Sequence, residues 1–271
     1  MNEQVIPVSG NQKIAFQCQR CSACCRHVEN KVMLEPYDVY QLALHFQCEA
    51  QSVRLEDICA QYAHPMPLEP YFPIFLLNAV GEDQHCIFLN GNHCSVYARR
   101  PRACRMYPFT VDAGRRGKDF EYFLCTDYPD HFGKGRVRVS DWFYENFSKD
   151  ARRFVKADYA AIRQYGKLLR QMTPAQIDHL LFQFLFYRYW NYDRAIPFRS
   201  SLSATIASCL RFCRSSIPNL ASASSPTSST SAVRCRAFTR PFAVPATPMW
   251  PLWLATWCSH RRRSWSPKRS R

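Results

Sequence analysis

Glycine is scarce in this chain, with eight in 271 residues. None of them builds a glycine-rich phosphate loop, a dinucleotide-binding G-x-G-x-x-G or a serine-nucleophile elbow, which sets aside the chemistries that depend on those devices. Acidic residues stop altogether at Asp193. All 21 of them lie in residues 1–193 beside 23 of the 36 lysines and arginines, so this body carries a net charge of +2. Most of the chain's formal +15 belongs to the 13 basic residues that follow. A near-neutral body is a poor electrostatic match for nucleic acid, and such a partner is not expected. The opening "MNEQVIPVSGNQKIAF" has neither the basic start nor the apolar centre of a secretory leader. No run before residue 193 is long and apolar enough to span a bilayer. The expected setting is therefore the cytoplasm, without membrane contact, where disulfides rarely persist.

Cysteine, by contrast, is abundant, with 14 in all. Four of them, Cys18, Cys21, Cys24 and Cys25, crowd into "FQCQRCSACCRHV" as C-x2-C-x2-C-C. Clustered thiols in a reducing compartment point to a metal or to redox chemistry. The βαβ setting that would make a C-x2-C a thioredoxin-type redox pair is not evident. Thiolates prefer zinc and iron–sulfur iron, and a C-x2-C step turns both sulfurs to one side. The first three thiols match the start of a ferredoxin run, whose fourth spacing is absent. Adjacent side chains diverge, so Cys24 and Cys25 suit two metals, a polynuclear cluster, or a ligand beside a bystander.

The remaining donors are expected downstream, at Cys86, Cys94, Cys104 and Cys125, where strand ends and loops let ligands converge. These make a set of eight, enough for one iron–sulfur cluster with spares or for two four-coordinate ions. Cys48 and Cys59 read as ordinary buried cysteines on or near helices. The nearby His27, His85 and His93 read as polar neighbours, since sulfur is already in surplus. Arg99, Arg100, Arg102 and Arg105 would offset the net charge of about −2 that four thiolates leave on a divalent ion.

Pro36 followed by Val39, Leu42, Ala43 and Phe46 gives a helix over about 36–46. A second short helix fits "RLEDICAQYA". Prolines at 65, 67, 70 and 73 make residues 64–75 a loop. Short strands are expected at "KIAF", at "IFLLNAV", "CIFL" and "CSVY" with hairpin turns at "GEDQ" and "NGN", and at "FEYFLC". From Ser140 to about Tyr165 the apolar spacing is helical, and "TPAQ" at 173–176 starts another helix that runs to about Trp190. Beyond residue 199 the composition turns to Ser, Pro, Ala and Arg without acids. Residues 200–271 therefore read as a disordered basic tail or an out-of-frame translation product. The uncharged stretch 241–258 is broken by four prolines and does not suit a membrane anchor.

The ordered set of motifs resembles the YkgJ-like cysteine-cluster family, a zinc- or iron-chelating domain. Its segments are C-x2-C-x2-C-C at Cys18–Cys25, C-x-F-L at Cys86, C-x-V-Y-x-x-R-P from Cys94 through Tyr97 to Arg100-Pro101, and C-R-x-Y-P-F from Cys104 to Phe109. Cys125 matches the family's later cysteine, and the resemblance spans about residues 14–127. A related arrangement occurs in flagellin lysine methylases, although no S-adenosylmethionine loop is recognisable here. The fold expected is α+β: a small irregular metal-stapled module of short antiparallel strands over 1–130, with helices over 138–195 packed on it. The function expected is metal binding by thiolates, with zinc or iron, or an iron–sulfur cluster, as cofactor and the metal ion as partner. The alternatives are an iron–sulfur-dependent enzyme, such as a protein methyl or redox transferase, and a zinc-ribbon-like interaction module.

Overall fold

A computed structural model describes residues 5–47, 53–68, 72–113, 120–194, 196 and 198–216. Those residues lie in one compact unit, Met1–Ala221. Cys48, Cys235 and Cys258 and the stretch 241–258 lie outside the described residues. The architecture is α+β, with small antiparallel sheets toward the N-terminus and packed helices after them.

The first sheet joins β1 (Val5–Val8), β10 (Phe109–Ala113) and β11 (Phe120–Cys125) in the order β1-β11-β10, with Val5 opposite Cys125. The second pairs β2 (Lys13–Phe16) with β12 (Phe132–Arg138). Phe132 faces Phe16, and a bulge separates this pair from Val137 opposite Ile14. Gly135 makes the bulge possible: its φ is +65°, and a Cβ there would lie 2.9 Å from the Phe16 carbonyl oxygen. Gly135→Ala is expected to cost more than about 1 kcal/mol, because a left-handed site rejects Cβ even without a clash. Chemical denaturation would show this as a lower midpoint at unchanged slope.

The third sheet corrects the loop expected over 64–75. Its order is β3-β5-β4, with β3 (Met33–Leu34), β4 (Ala63–Leu68) and β5 (Phe72–Leu77). Pro65 and Pro67 are tolerated because β4 is an edge strand, where a missing N–H breaks no ladder on the open side. Pro73, on the central strand, lies beyond the two residues that β3 pairs, Phe75 and Leu76. Two miniature hairpins follow, β6 (Ala79–Val80) with β7 (His85–Cys86), and β8 (Leu89–Asn90) with β9 (His93–Cys94).

Helix α1 (Pro36–Phe46) starts where expected, with Pro36 in its first turn and the Glu35 N–H donating to Asp38 Oδ2 at 3.1 Å. Helix α2 (Leu55–Tyr62) and the five-residue α3 (Arg102–Met106) complete the module. The apolar stripe after Ser140 is divided between α4 (Val139–Asn146) and α5 (Lys149–Leu169). Phe143, Phe147, Ala151 and Phe154 are all buried as their spacing implies. The break comes at Ser148, whose Oγ accepts the Ala151 N–H and so caps α5.

Helix α6 (Pro174–Leu185) begins with the capping box of Thr173 and Gln176. Thr173→Ala is expected to cost about 1 kcal/mol, read as a thermal-midpoint shift of a few degrees. A π-helical turn, Phe186–Trp190, then carries two anchors into the module. Tyr189 donates to the Leu34 carbonyl at 3.2 Å and meets the Phe75 ring edge-on, and Trp190 donates to Cys59 Sγ at 3.4 Å. Cys59 is thus buried in the core, as its helix position suggested.

The segment expected to be disordered or out of frame begins with an ordered helix, α7 (Phe198–Ser215). Leu202, Thr205, Cys209, Leu210 and Cys213 are buried at helical spacing, and Cys209 joins Tyr165, Ile177 and Phe184 in one core cluster. Alternating small polar residues hid this stripe in the sequence. Among the described residues no helix is long and apolar enough to cross a membrane.

Candidate metal centre

The cysteine run follows directly from β2. Cys18 and Cys21 are exposed on irregular backbone, and Cys24 and Cys25 sit in a 3-10 turn, Ala23–Cys25, closed by the Cys25 N–H on the Ser22 carbonyl at 2.8 Å. Arg20, Ser22 and His27 all adopt left-handed backbone, with φ of 52°, 60° and 52°. Such conformations cost on the order of 1–3 kcal/mol each outside glycine, and persist only where surroundings enforce them. Part of that enforcement comes from the β6–β7 turn. The His27 and Val28 N–H groups donate to the Asp83 and Gln84 carbonyls, and Arg26 forms an ion pair with Asp83.

The downstream thiols arrive on short elements. Cys86 lies in β7, Cys94 in β9, Cys104 in α3, and Cys125 ends β11. All eleven described cysteines are free thiols. The eight expected donors fall into two neighbourhoods, four that act on one another through their charges and four that adjoin Cys24 or the rings of Tyr107, Tyr128 and His131. In the first, burial drives Cys104 well above the ordinary thiol range, reinforced by the charges of Cys86, Cys25 and Cys94 and of Asp38. Burial likewise pushes Cys86 up to about 11, with Cys25 and Cys94 adding to it, and raises Cys94, on which Cys25 also acts. Cys25, Cys86, Cys94 and Cys104 are therefore close enough to feel one another electrostatically.

The second neighbourhood holds Cys18, Cys21, Cys24 and Cys125. Cys24 donates to Cys25, which raises Cys24, as do burial and the charges of Cys25, Cys104 and Cys18. The same bond lowers Cys25 to about 7 against the opposing effect of burial, with help from Arg100 and Arg26. Cys125 and Cys24 both act on Tyr107 and Tyr128, whose hydroxyls are held up first by burial. Cys21 Sγ lies 3.4 Å from His131 Nε2. Among the described residues, no three His, Cys, Asp or Glu side chains stand close enough together to hold an ion as they are.

The arginines divide differently from the expectation. Arg100 does lie where its charge favours the thiolates of Cys25 and Cys94. Arg102 is instead committed to Glu35, with contacts of 2.6 and 2.8 Å, and Arg105 Nη2 lies 3.9 Å from Asp38. Arg99 hydrogen-bonds Gln41. The carboxylates of α1's first turn thus claim two of the four cations. His85 Nδ1 lies 2.6 Å from Asp83 Oδ1, as a polar neighbour would. His131 and Tyr128 were not singled out by the sequence, and Tyr107 entered only as part of the C-R-x-Y-P-F motif. The only signal was their place in "YPDH" just past Cys125 and in "RMYPF" just past Cys104.

The donor chemistry suits a soft or borderline cation: eight sulfurs, with guanidinium charge beside Cys25 and Cys94. The raised values of Cys24, Cys86, Cys94 and Cys104 mean that protons occupy these sulfurs near neutral pH and must leave when a cation binds. Zinc uptake at pH 7.5 is expected to release about two to four protons per ion, and affinity should climb with pH through neutrality. Calorimetry in buffers of different ionisation enthalpy checks both; pH-independent uptake would contradict the raised values.

No curated protein and no solved structure matches this chain. A family model does match residues 17–129, which hold all eight of these cysteines: CxxCxxCC, described as a "putative zinc- or iron-chelating domain". The match is a similarity of residues 17–129, under half of the 271-residue chain, to that family, and metal chelation is the property the family's description attaches to it.

Proposed function

We propose that the protein is a cytoplasmic metal-binding protein in which the eight thiols serve two adjoining centres. One uses Cys25, Cys86, Cys94 and Cys104. The other is built on Cys18, Cys21 and Cys24, with Cys125 beside it. Two findings support this reading: Cys25, Cys86, Cys94 and Cys104 act on one another, and Cys21 Sγ lies 3.4 Å from His131 Nε2, beside Tyr107 and Tyr128, on which Cys24 and Cys125 act. The reading also gives the doubled cysteine a place: Cys24 and Cys25 meet where the two centres adjoin, one serving each. The free thiols suit a reducing compartment.

Zinc is the metal we favour, because two sets of about four sulfurs match closed structural sites. An iron–sulfur centre is the second reading, favoured by the contact between the two groups, which would let one polynuclear cluster draw on both. The role we assign to the metal is structural or sensing, since a site closed by four donors leaves no open position for a substrate.

The test is purification of the full chain under anaerobic, reducing conditions, with metal analysis and a visible spectrum. About two zinc ions per chain in a colourless protein is the expected result. Cys104→Ser and Cys21→Ser should each lower the count to about one. A brown protein containing iron and labile sulfide would select the cluster. A folded, metal-free protein indifferent to Cys18→Ser would remove the reading altogether.

A further inference from the structure

We propose that His131 is a ligand of the second centre, binding through Nε2 beside Cys21, with Cys18 and Cys24 of the same run closing in as the ion binds to complete a three-sulfur, one-nitrogen site. The inference rests on the two-centre reading above and adds a donor outside the family match, which ends at residue 129.

Backbone pairing brings the two donors together. Strand β2 runs into the cysteine run, and β12 starts immediately after His131. Phe132 is the register partner of Phe16, so the residues flanking this pair are brought together across 110 positions of sequence. Phe16, 2% exposed, fixes the junction by packing against Phe132, Tyr107 and Trp142. His131 itself closes a 3-10 turn, Pro129–His131.

The imidazole is then held on three sides. Tyr107 Oη lies 2.7 Å from Nδ1, the Tyr128 ring stacks on the imidazole at 5.3 Å, and Tyr107 meets it edge-on at 5.5 Å. Tyr128 is fixed in turn by donating to the Arg26 carbonyl at 3.1 Å. A tyrosine oxygen that accepts from Nδ1–H selects the tautomer whose lone pair is on Nε2, the arrangement that metal-bound histidines use. That lone pair faces Cys21 Sγ at 3.4 Å. Zn–S of about 2.3 Å and Zn–N of about 2.0–2.1 Å, meeting at a tetrahedral angle, separate the two donors by about 3.5 Å. The Cys21–His131 separation is therefore that of one edge of a zinc tetrahedron. A zinc site closed by four donors needs no fifth, which leaves Cys125 as a neighbour of Tyr107 and Tyr128.

The competing account is an S–H···N hydrogen bond with no metal role, and the experiment separates the two. X-ray absorption on the zinc-loaded full chain should show a nitrogen scatterer in the first shell, averaged over both ions, that disappears in His131→Ala. His131→Ala should bind its weaker zinc more than about 100-fold less tightly, and Tyr107→Phe about 10-fold less tightly, because loss of an orienting partner costs less than loss of the ligand. Cys125→Ser should retain both ions. Measurement on the wild-type protein keeps the test independent of whether the variant folds. An all-sulfur shell in the wild type, or unchanged zinc affinity in His131→Ala, overturns the assignment and leaves the thiolate reading standing. A wild-type protein that takes up no zinc or iron overturns both.

Discussion

Stripping metal from the reduced protein is expected to abolish cooperative unfolding of the cysteine module. The reason lies in how little else holds residues 17–34. Between β2 and β3, residues 17–32 form one three-residue turn and no strand, and four non-glycine residues among them, Arg20, Ser22, His27 and Asn30, are left-handed. The sheets around them have two or three strands, several only two residues long. Sheets this small are marginal in water. Apparent binding free energies of about 10–16 kcal/mol for structural zinc near neutral pH far exceed what such elements supply. The cluster of Tyr165, Ile177, Phe184 and Cys209 has a core of its own, so α5, α6 and α7 should keep their helicity. Circular dichroism with limited proteolysis, before and after a strong chelator, would show cleavage appearing within 17–34 and near 83–104 first. An unchanged melting curve and an unchanged cleavage pattern would refute the expectation.

Arg188→Ala is expected to destabilise the protein by about 3–5 kcal/mol, the usual result of leaving one half of a buried ion pair alone. Arg188 is 5% exposed and Asp158 8%, and they meet at 2.9 Å between the π-helical turn and α5. Burial raises Asp158 and Arg188 opposes that rise, so removing the guanidinium raises it further. A carboxyl raised in the folded state favours folding below its unfolded value, and that advantage is lost as pH rises through the folded value. The variant should therefore fall furthest behind the wild type at neutral pH and recover part of the deficit as pH is lowered toward 4. Arg188 also lies over the Phe72 and Tyr189 rings, at 5.1 and 4.7 Å, so some of the loss is packing and will not recover. Replacing the pair together, as Arg188→Met with Asp158→Leu, should restore most of the stability. Urea unfolding at two pH values reads all three outcomes; an equal loss at both pH values would leave Asp158 ionised throughout.

What the sequence made legible was local. Pro36 and Asp38 mark the start of α1, and Thr173 with Gln176 mark α6, because capping is decided within four residues. The family motifs and the eight cysteines needed only order and spacing. Four things were not legible. Residues 64–75 read as a loop because proline forbids central strands, and only the finished sheet shows β4 at an edge. Arg102 and Arg105 read as counter-charges for thiolates because their partners, Glu35 and Asp38, are more than sixty residues away. His131 was invisible for the same reason, since its neighbour Cys21 is reached only after β12 pairs with β2. Helix α7 was masked by serines and a threonine that satisfy helical spacing without adding hydrophobicity.

The pairing of β2 with β12 also sets a schedule. Cys21 leaves the ribosome 110 residues before His131, which at about 5–20 residues per second is an interval on the order of 5–20 s. During that interval the nascent chain displays a crowd of thiols whose designated companions have not yet been made. Any cation or oxidant that reaches them early meets an incomplete set. Cells that keep labile copper low and thiols reduced during synthesis should therefore yield more correctly loaded protein than cells that correct either condition afterwards.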